Sequence, residues 1–137
     1  MKETAFLPPP APVQRPRIPI WVVGAWPSEK SMQRALRYDG LLPQVLKSVE
    51  NTPHNAQSAE LDALPEIKKY IASRRGEQTS FDIVVEGKTP GNDPHKAASI
   101  VQEWVEAGAT WWIETMWDAK DKLEAVRKRI RQGPPRA

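Results

Sequence analysis

The residues best suited to chemistry are Gly24, Ala25 and Trp26, which lie between a predicted strand and a predicted helix. A helix N-terminus offers unpaired N–H groups and the positive end of the helix dipole, and both attract a phosphate group. Gly24 permits close approach of a ligand to the backbone, and Trp26, expected beyond the strand, can wall a cleft. Because the chain has no GxGxxG or Walker sequence, a phosphate-binding turn and an ordinary strand-to-helix turn both remain open.

Two carboxylates, Glu86 and Glu114, each stand at the end of a predicted strand. In parallel α/β folds the carboxyl ends of the strands face the active site, so this pair could perform acid–base chemistry. They could equally face the helices or accept hydrogen bonds from loop amides. Gln44 and Thr115 occupy comparable positions and could bond a ligand hydroxyl. No nucleophile–base pair or nucleophile elbow is visible, so no residue is assigned as catalytic.

The composition excludes several kinds of site. Cysteine is absent, and the two histidines, His54 and His95, lie far apart, so disulfide bonds and a metal site are not expected. The lack of cysteine fits a cytoplasmic location. No signal sequence is visible, and no apolar run approaches the roughly 20 residues of a membrane span, so no membrane association is expected.

The net charge of +3 is spread along the chain, and acidic residues are interspersed with the basic ones. A nucleic-acid-binding protein would be expected to cluster its positive charge, so no nucleic-acid partner is predicted. The densest basic run lies in the last predicted helix. It favours a solvated helix face whose cations suit the C-terminal end of the dipole, with a phosphate-seeking patch as the alternative. This run comprises Arg127, Lys128, Arg129 and Arg131.

Short apolar runs rich in β-branched residues alternate with segments of helical periodicity. Strands are predicted at 18–23, 41–43, 81–87 and 109–114, the first of them ended by Gly24. Helices are predicted from Pro27 to the Asp39-Gly40 stop, then over 62–74, 93–107 and 120–131, with 44–60 as a mostly irregular connection. This alternation predicts an α/β fold of four parallel βα units, but it does not separate an open sheet from half of an eight-stranded barrel.

Each helix has an apolar stripe expected to face the sheet. The third helix also has clear end signals: Asp93 as N-cap, Pro94 in the first turn and Gly108 at the close. The expected inward residues are Met32, Ala35 and Leu36; Leu64, Ile67, Tyr70 and Ile71; Ala97, Ile100, Val101, Trp104 and Val105; and Leu123, Val126 and Ile130.

Three parts of the chain are distinguished by composition. Residues 1–17 are rich in proline, which favours an extended arm without regular structure. Residues 18–132 contain the predicted strands and helices and form one domain. Residues 133–137 are a short tail.

Several segments, in order along the chain, resemble luciferase-like flavin-dependent monooxygenases and oxidoreductases. The resemblance extends over nearly the whole chain, and the segments that carry it are 6–10, 15–27, 34–43, 86–91 and 107–114.

The resemblance implies a TIM (β/α)8 barrel in which these four strands are the C-terminal half. It also implies FMN or a deazaflavin coenzyme as cofactor. Gly24, Ala25 and Trp26 would meet the phosphate or ribityl chain of that cofactor, and Leu42, Pro43 and Gln44 would lie near the same tail. Family members typically have two glycines at the first of these turns, whereas this chain has Ala25 in second place.

A TIM barrel needs about 250 residues, and this chain has 137. The expectation is therefore a truncated or split half of a luciferase-like flavin-dependent oxidoreductase or monooxygenase that contributes binding of the cofactor's phosphate end. Its small-molecule substrate is unspecified. Its partner would be a second copy of itself or a separate N-terminal half. The alternative is a non-enzymatic remnant or interaction module without cofactor.

Overall fold

The structure is a computed structural model that describes residues 13–46, 56–76, 80–117 and 123–135, with the side chains of 56 and 57 left aside. Most of the predicted proline-rich arm lies outside these residues. Strands and helices alternate strictly along the chain. They are β1 (Trp21–Trp26), α1 (Glu29–Ala35), β2 (Gly40–Val45), α2 (Ala56–Arg75), β3 (Asp82–Gly87), α3 (Pro94–Ala107), β4 (Trp111–Glu114) and α4 (Leu123–Gln132).

The four strands form one parallel sheet in the order β1-β2-β3-β4. Neighbours in sequence are therefore neighbours in space, as expected for consecutive βα units. The predicted α/β class with parallel strands is confirmed, while the half-barrel stays a prediction. The segment before β1 is fastened to the start of β2, because Asp39 accepts hydrogen bonds from the Arg17 guanidinium (2.6 Å) and the Ile20 N–H (2.7 Å).

The core lies on one face of the sheet, which we term the helix face. Side chains from α1, α2 and α3 meet there in a single cluster with side chains from β2 and β3. Burying each large aliphatic side chain contributes about 1.5–3 kcal/mol, so this shared cluster holds three helices on one side. Its buried members are Met32, Ala35, Leu41, Leu64, Ile67, Ile71, Ile83, Val85 and Trp104.

The end signals of α3 are confirmed. The Asp93 carboxylate accepts a hydrogen bond from the Lys96 N–H at 3.0 Å, Pro94 begins the helix, and Gly108 ends it at a φ of +118°. That left-handed conformation suits glycine because it has no Cβ. Val105, expected to face inward, is instead half exposed.

Two helices differ from the sequence-based expectation. α2 begins at Ala56 rather than near Asp62, so part of the predicted connection is helical. Pro65 falls inside this helix at an exposed position. In α4 the expected inward side chains do not reach the core: no residue of the helix is buried, and Leu123 and Ile130 remain largely exposed. The apolar periodicity of α4 is real, but the helix is held to the strand ends by hydrogen bonds of Arg129 with Glu114 and Thr89 instead of by apolar packing.

Side chains on the opposite side of the sheet define what we term the open face. Its apolar residues include Val23 and Trp111, each 51% exposed. Since side chains alternate along a strand and register partners in parallel strands share a face, the pairing assigns its members. They are Trp21, Val23 and Ala25 from β1, Leu42 and Gln44 from β2, Asp82, Val84 and Glu86 from β3, and Trp111 and Ile113 from β4.

At the amino end of the open face the first and last strands meet through their side chains. The rings of Trp21 and Trp111 lie 5.2 Å apart between centroids, and the Trp21 Nε1–H donates to Asp82 at 2.9 Å. The Trp21 indole therefore crosses β2 above Gly40. A Cβ on Gly40 would lie 2.6 Å from Trp21 Cδ1 and 2.9 Å from the Asp82 carbonyl oxygen. Glycine is required here to leave room for the indole.

We predict that Gly40→Ala destabilises the protein by about 1–3 kcal/mol, the usual cost of overpacking, because the added methyl meets a ring and a neighbouring backbone. Urea unfolding followed by circular dichroism measures the change. Ser99→Ala on the exposed side of α3 is the control and is expected to change stability by less than about 0.5 kcal/mol. Equal stability of Gly40→Ala and the parent would contradict the described path of the indole.

Candidate functional site

The carboxyl ends of the strands present two separate sets of groups, one on each face of the sheet. β1 continues through Gly24 to Trp26 instead of ending at Gly24, so the residues expected in a turn belong to the strand. Strand alternation then sends Gly24 and Trp26 to the helix face and Ala25 to the open face. The residues predicted to bind the cofactor are therefore divided between two surfaces.

Gly24 is buried rather than presented to a ligand. A Cβ at this position would contact Leu41 and Met32, the latter at 3.2 Å from the sulfur atom. The glycine therefore permits close packing of α1 on the sheet. Its predicted role in approaching a phosphate is not supported, because its open side is covered by core side chains.

Trp26 also faces the helices. Its ring makes an edge contact with Tyr70 of α2, with 5.5 Å between centroids. Pro43, the register partner of Gly24, is buried on the same face. The expectation that Trp26 walls a ligand cleft beyond its strand is thus corrected, because the strand extends far enough to place the ring against α2.

Ala25, Leu42 and Gln44 lie on the open face, where a ligand can reach them. Gln44 is exposed, and within the described part of the chain its side-chain amide makes one long contact, 3.5 Å, with the neighbouring Pro43 carbonyl. An amide of this kind can both donate and accept hydrogen bonds. Of the six predicted cofactor residues, these three remain together around one accessible surface.

The outer edge of β1 is capped by groups from its own βα connection. The Ala25 N–H donates to the Ser31 hydroxyl at 2.9 Å, and the Val23 carbonyl accepts from the Arg34 guanidinium at 3.0 Å. The Ala25 carbonyl accepts from the Ser28 N–H at 2.9 Å. The Ala25 amide that the resemblance would direct toward a phosphate is therefore already bonded to Ser31.

The two carboxylates predicted to act as a pair point to opposite faces. Glu86 is in register with Ile113, whereas Glu114 is in register with Gly87. Burial raises the pKa of Glu60 in α2, and the charge of Glu86 raises it further. The proposed acid–base pair of Glu86 and Glu114 is not formed, because the one-residue offset in register reverses the side of the sheet.

Glu114 is instead bound by four hydrogen bonds on the helix face, one of which comes from a loop amide, as the alternative interpretation expected. Thr89 donates twice, from its N–H (2.7 Å) and its hydroxyl (2.8 Å). The Trp112 Nε1–H donates at 3.1 Å and the Arg129 Nε–H at 3.2 Å. Arg129 also donates to the Thr89 hydroxyl at 2.9 Å and to the Gly133 carbonyl. This network, which we term the Glu114 cluster, fastens α4 to the ends of β3 and β4.

Sequence reasoning did not find Thr89 and Arg129 as parts of one cluster. Thr89 lies in a predicted turn and is nevertheless buried, with 3% of its surface exposed. Arg129 stood out only as a member of a basic run. The one feature of the sequence that indicated such a cluster is Glu114 itself, because a carboxylate at the end of a strand requires hydrogen-bond donors nearby. Thr115, suggested as a ligand contact, donates its hydroxyl to the Gly87 carbonyl at 3.1 Å.

Among the described residues, no group of three or more metal-ligating side chains comes together. In the same part of the chain, no helix combines the length and apolar character that crossing a membrane requires. No protein-family model, curated protein or solved structure matches the chain. The site must therefore be interpreted from its own geometry.

The Glu114 cluster should make the free energy of unfolding depend on pH in the acidic range. Burial of Glu114 raises its pKa, but the hydrogen bonds from Thr89, Trp112 and Arg129 outweigh that effect and leave the pKa lowered below 4.5. A lowered pKa in the folded state stabilises the protein above the pKa of the unfolded chain. This contribution is lost as the pH falls from about 4.5 through the lowered value.

We predict that Glu114→Gln costs about 1–3 kcal/mol at pH 7 because it removes an ionised acceptor and leaves buried donors poorly paired. Urea unfolding at pH 7 and at a series of pH values below 4.5 measures the effect. The difference between variant and parent should shrink as the acid protonates Glu114 in the parent. The exposed Glu103→Gln on α3 serves as control. A difference that is constant with pH would contradict the assigned charge.

Proposed function

We propose that this chain is the flavin-binding half of a luciferase-like flavin-dependent oxidoreductase, with FMN or a deazaflavin coenzyme bound on the open face. The observation that supports it most is the one-sided arrangement of α1–α3, which leaves an apolar sheet surface with polar groups at the carboxyl ends of its strands. The cofactor supplies the redox chemistry when bound, and the protein binds and orients it. The small-molecule substrate stays unspecified.

The open face suits a flat ring system that carries polar edges. Its accessible middle is apolar, formed by Val23 and Leu42, while Ala25 and Gln44 lie toward the carboxyl end. Val84 belongs to the same face but is almost fully buried. The Gln44 amide can bond the ring edge or the ribityl hydroxyls, since it both donates and accepts. Gly24, Trp26 and Pro43 do not take part in this proposal because they face the helices.

The same surface is consistent with a protein partner. A TIM barrel would cover the open face by closing the sheet with further strands, supplied by a second copy or by a separate N-terminal half. An exposed apolar surface also suits a module that binds another protein without a cofactor. The proposal therefore includes the half-barrel architecture and, as partner, a second copy or a separate N-terminal half. Cofactor binding is the property that distinguishes the enzyme from the non-enzymatic module.

A fluorescence titration of FMN with the purified, monodisperse chain tests the proposal. We predict saturable quenching of flavin emission and about tenfold weaker binding for Gln44→Ala, the effect of losing one hydrogen bond of about 1.4 kcal/mol. Gln102→Ala on the exposed side of α3 is the matched control and should bind like the parent.

Absence of quenching by both FMN and a deazaflavin coenzyme, in a sample whose circular dichroism shows the folded chain, would contradict cofactor binding by this chain. The non-enzymatic interaction module would then be favoured. Quenching that is unchanged in Gln44→Ala would place the cofactor away from the open face and overturn the assigned surface.

A further inference from the structure

A cavity of about 470 Å³ lies on the helix-face side of β4, beneath α4. It forms because the Glu114 cluster holds α4 at a position where the apolar side chains of the helix do not pack against the core. The walls come from the β4 region, from α4 and from the segment that follows it. They include the apolar side chains of Trp112, Met116, Val126, Ile130, Pro134 and Pro135.

One end of this cavity is polar, with Glu114 and Arg129 in its lining. Both Glu114 oxygens are already occupied, since Oε1 accepts from the Thr89 N–H and Arg129 Nε, and Oε2 accepts from the Thr89 hydroxyl and Trp112. A guanidinium has five N–H donors, and the hydrogen bonds of Arg129 use three of them. The polar end can therefore still donate hydrogen bonds, whereas its carboxylate has no strong acceptor position left.

The charge at this end is balanced. Arg129 Nε lies 3.2 Å from Glu114 Oε1, and the two side chains are only 12% and 19% exposed. A ligand with a net charge would meet one attractive and one repulsive partner at similar distance. A neutral ligand has no such conflict, so the pair favours an uncharged molecule.

We propose that this cavity is a binding site for a small, uncharged, planar apolar molecule that carries a carbonyl or similar hydrogen-bond acceptor. The apolar body lies between Trp112 and the apolar stripe of α4, and the acceptor takes an N–H of Arg129. The volume is within the range of about 300–1,000 Å³ that is usual for small-molecule sites. The site is separate from the open face because Trp112 and Glu114 face the helix side of the sheet.

The probe for this site is 6-propionyl-2-(dimethylamino)naphthalene, a neutral, environment-sensitive fluorophore with a ketone. We expect saturable binding with a blue shift of its emission. The parent compound without the ketone, 2-(dimethylamino)naphthalene, should bind at least tenfold more weakly. Val126→Phe, which fills the cavity, should reduce binding of the ketone at least tenfold. Leu123→Phe introduces the same ring on the same helix, outside the cavity lining, and should leave the affinity unchanged.

Circular dichroism and thermal unfolding confirm that both variants are folded before binding is compared. Three results would overturn the proposal: no saturable binding to the folded parent, equal affinity for the compounds with and without the ketone, or equal affinity of Val126→Phe and the parent. The proposal is independent of flavin binding, and excess FMN should not displace the probe. Displacement would show that both ligands use one site and would overturn the separate cavity.

Discussion

The apolar contact between α1–α3 and one face of the parallel sheet is the interaction on which the other features depend. It uses the side chains at every second strand position and so fixes which residues are buried beneath helices and which stay on the other side. Gly24 serves this contact directly, because Leu41 and Met32 occupy the space where its side chain would lie. Any ligand that binds across the strands must use the opposite side chains.

This constraint also explains how far the sequence could be interpreted. The order of strands and helices, the caps of α3 and most core residues follow from local patterns, because periodicity and turn residues act over a few positions. The separate directions of Trp111 and Trp112 were likewise predictable from strand alternation. The end of β1 was not predictable, since Gly24 resembles a strand terminus and only the packing of α1 shows that the strand continues to Trp26. The same extension, from Val23 to Trp26, moves the indole of Trp26 from a ligand cleft to Tyr70.

The Glu114 cluster shows why the candidate site was harder to predict than the fold. Four hydrogen bonds reach one carboxylate from three separate segments, and the residues of these segments are up to 40 positions apart. A pattern within a short stretch of sequence cannot show that residues so far apart along the chain bind the same carboxylate. The cluster substitutes a charge-assisted network for apolar packing, which is why α4 can be ordered by contacts at Arg129 while Leu123 and Ile130 remain exposed. A cavity beneath the helix is the geometric consequence of holding it by a polar contact near one end.

The edge of β1 limits how a partner could complete the sheet. Three backbone groups at Val23 and Ala25 already bond to Ser28, Ser31 and Arg34, so the edge resembles the protected edges by which proteins avoid strand addition. A strand that paired with the β1 edge would replace these hydrogen bonds with backbone hydrogen bonds between strands. The replacement itself would therefore gain little free energy. The gain would have to come from covering Val23, Trp111 and their neighbours on the open face. Burial of that apolar surface, rather than pairing at the β1 edge, is therefore the physical driving force available for closing this sheet against a second unit.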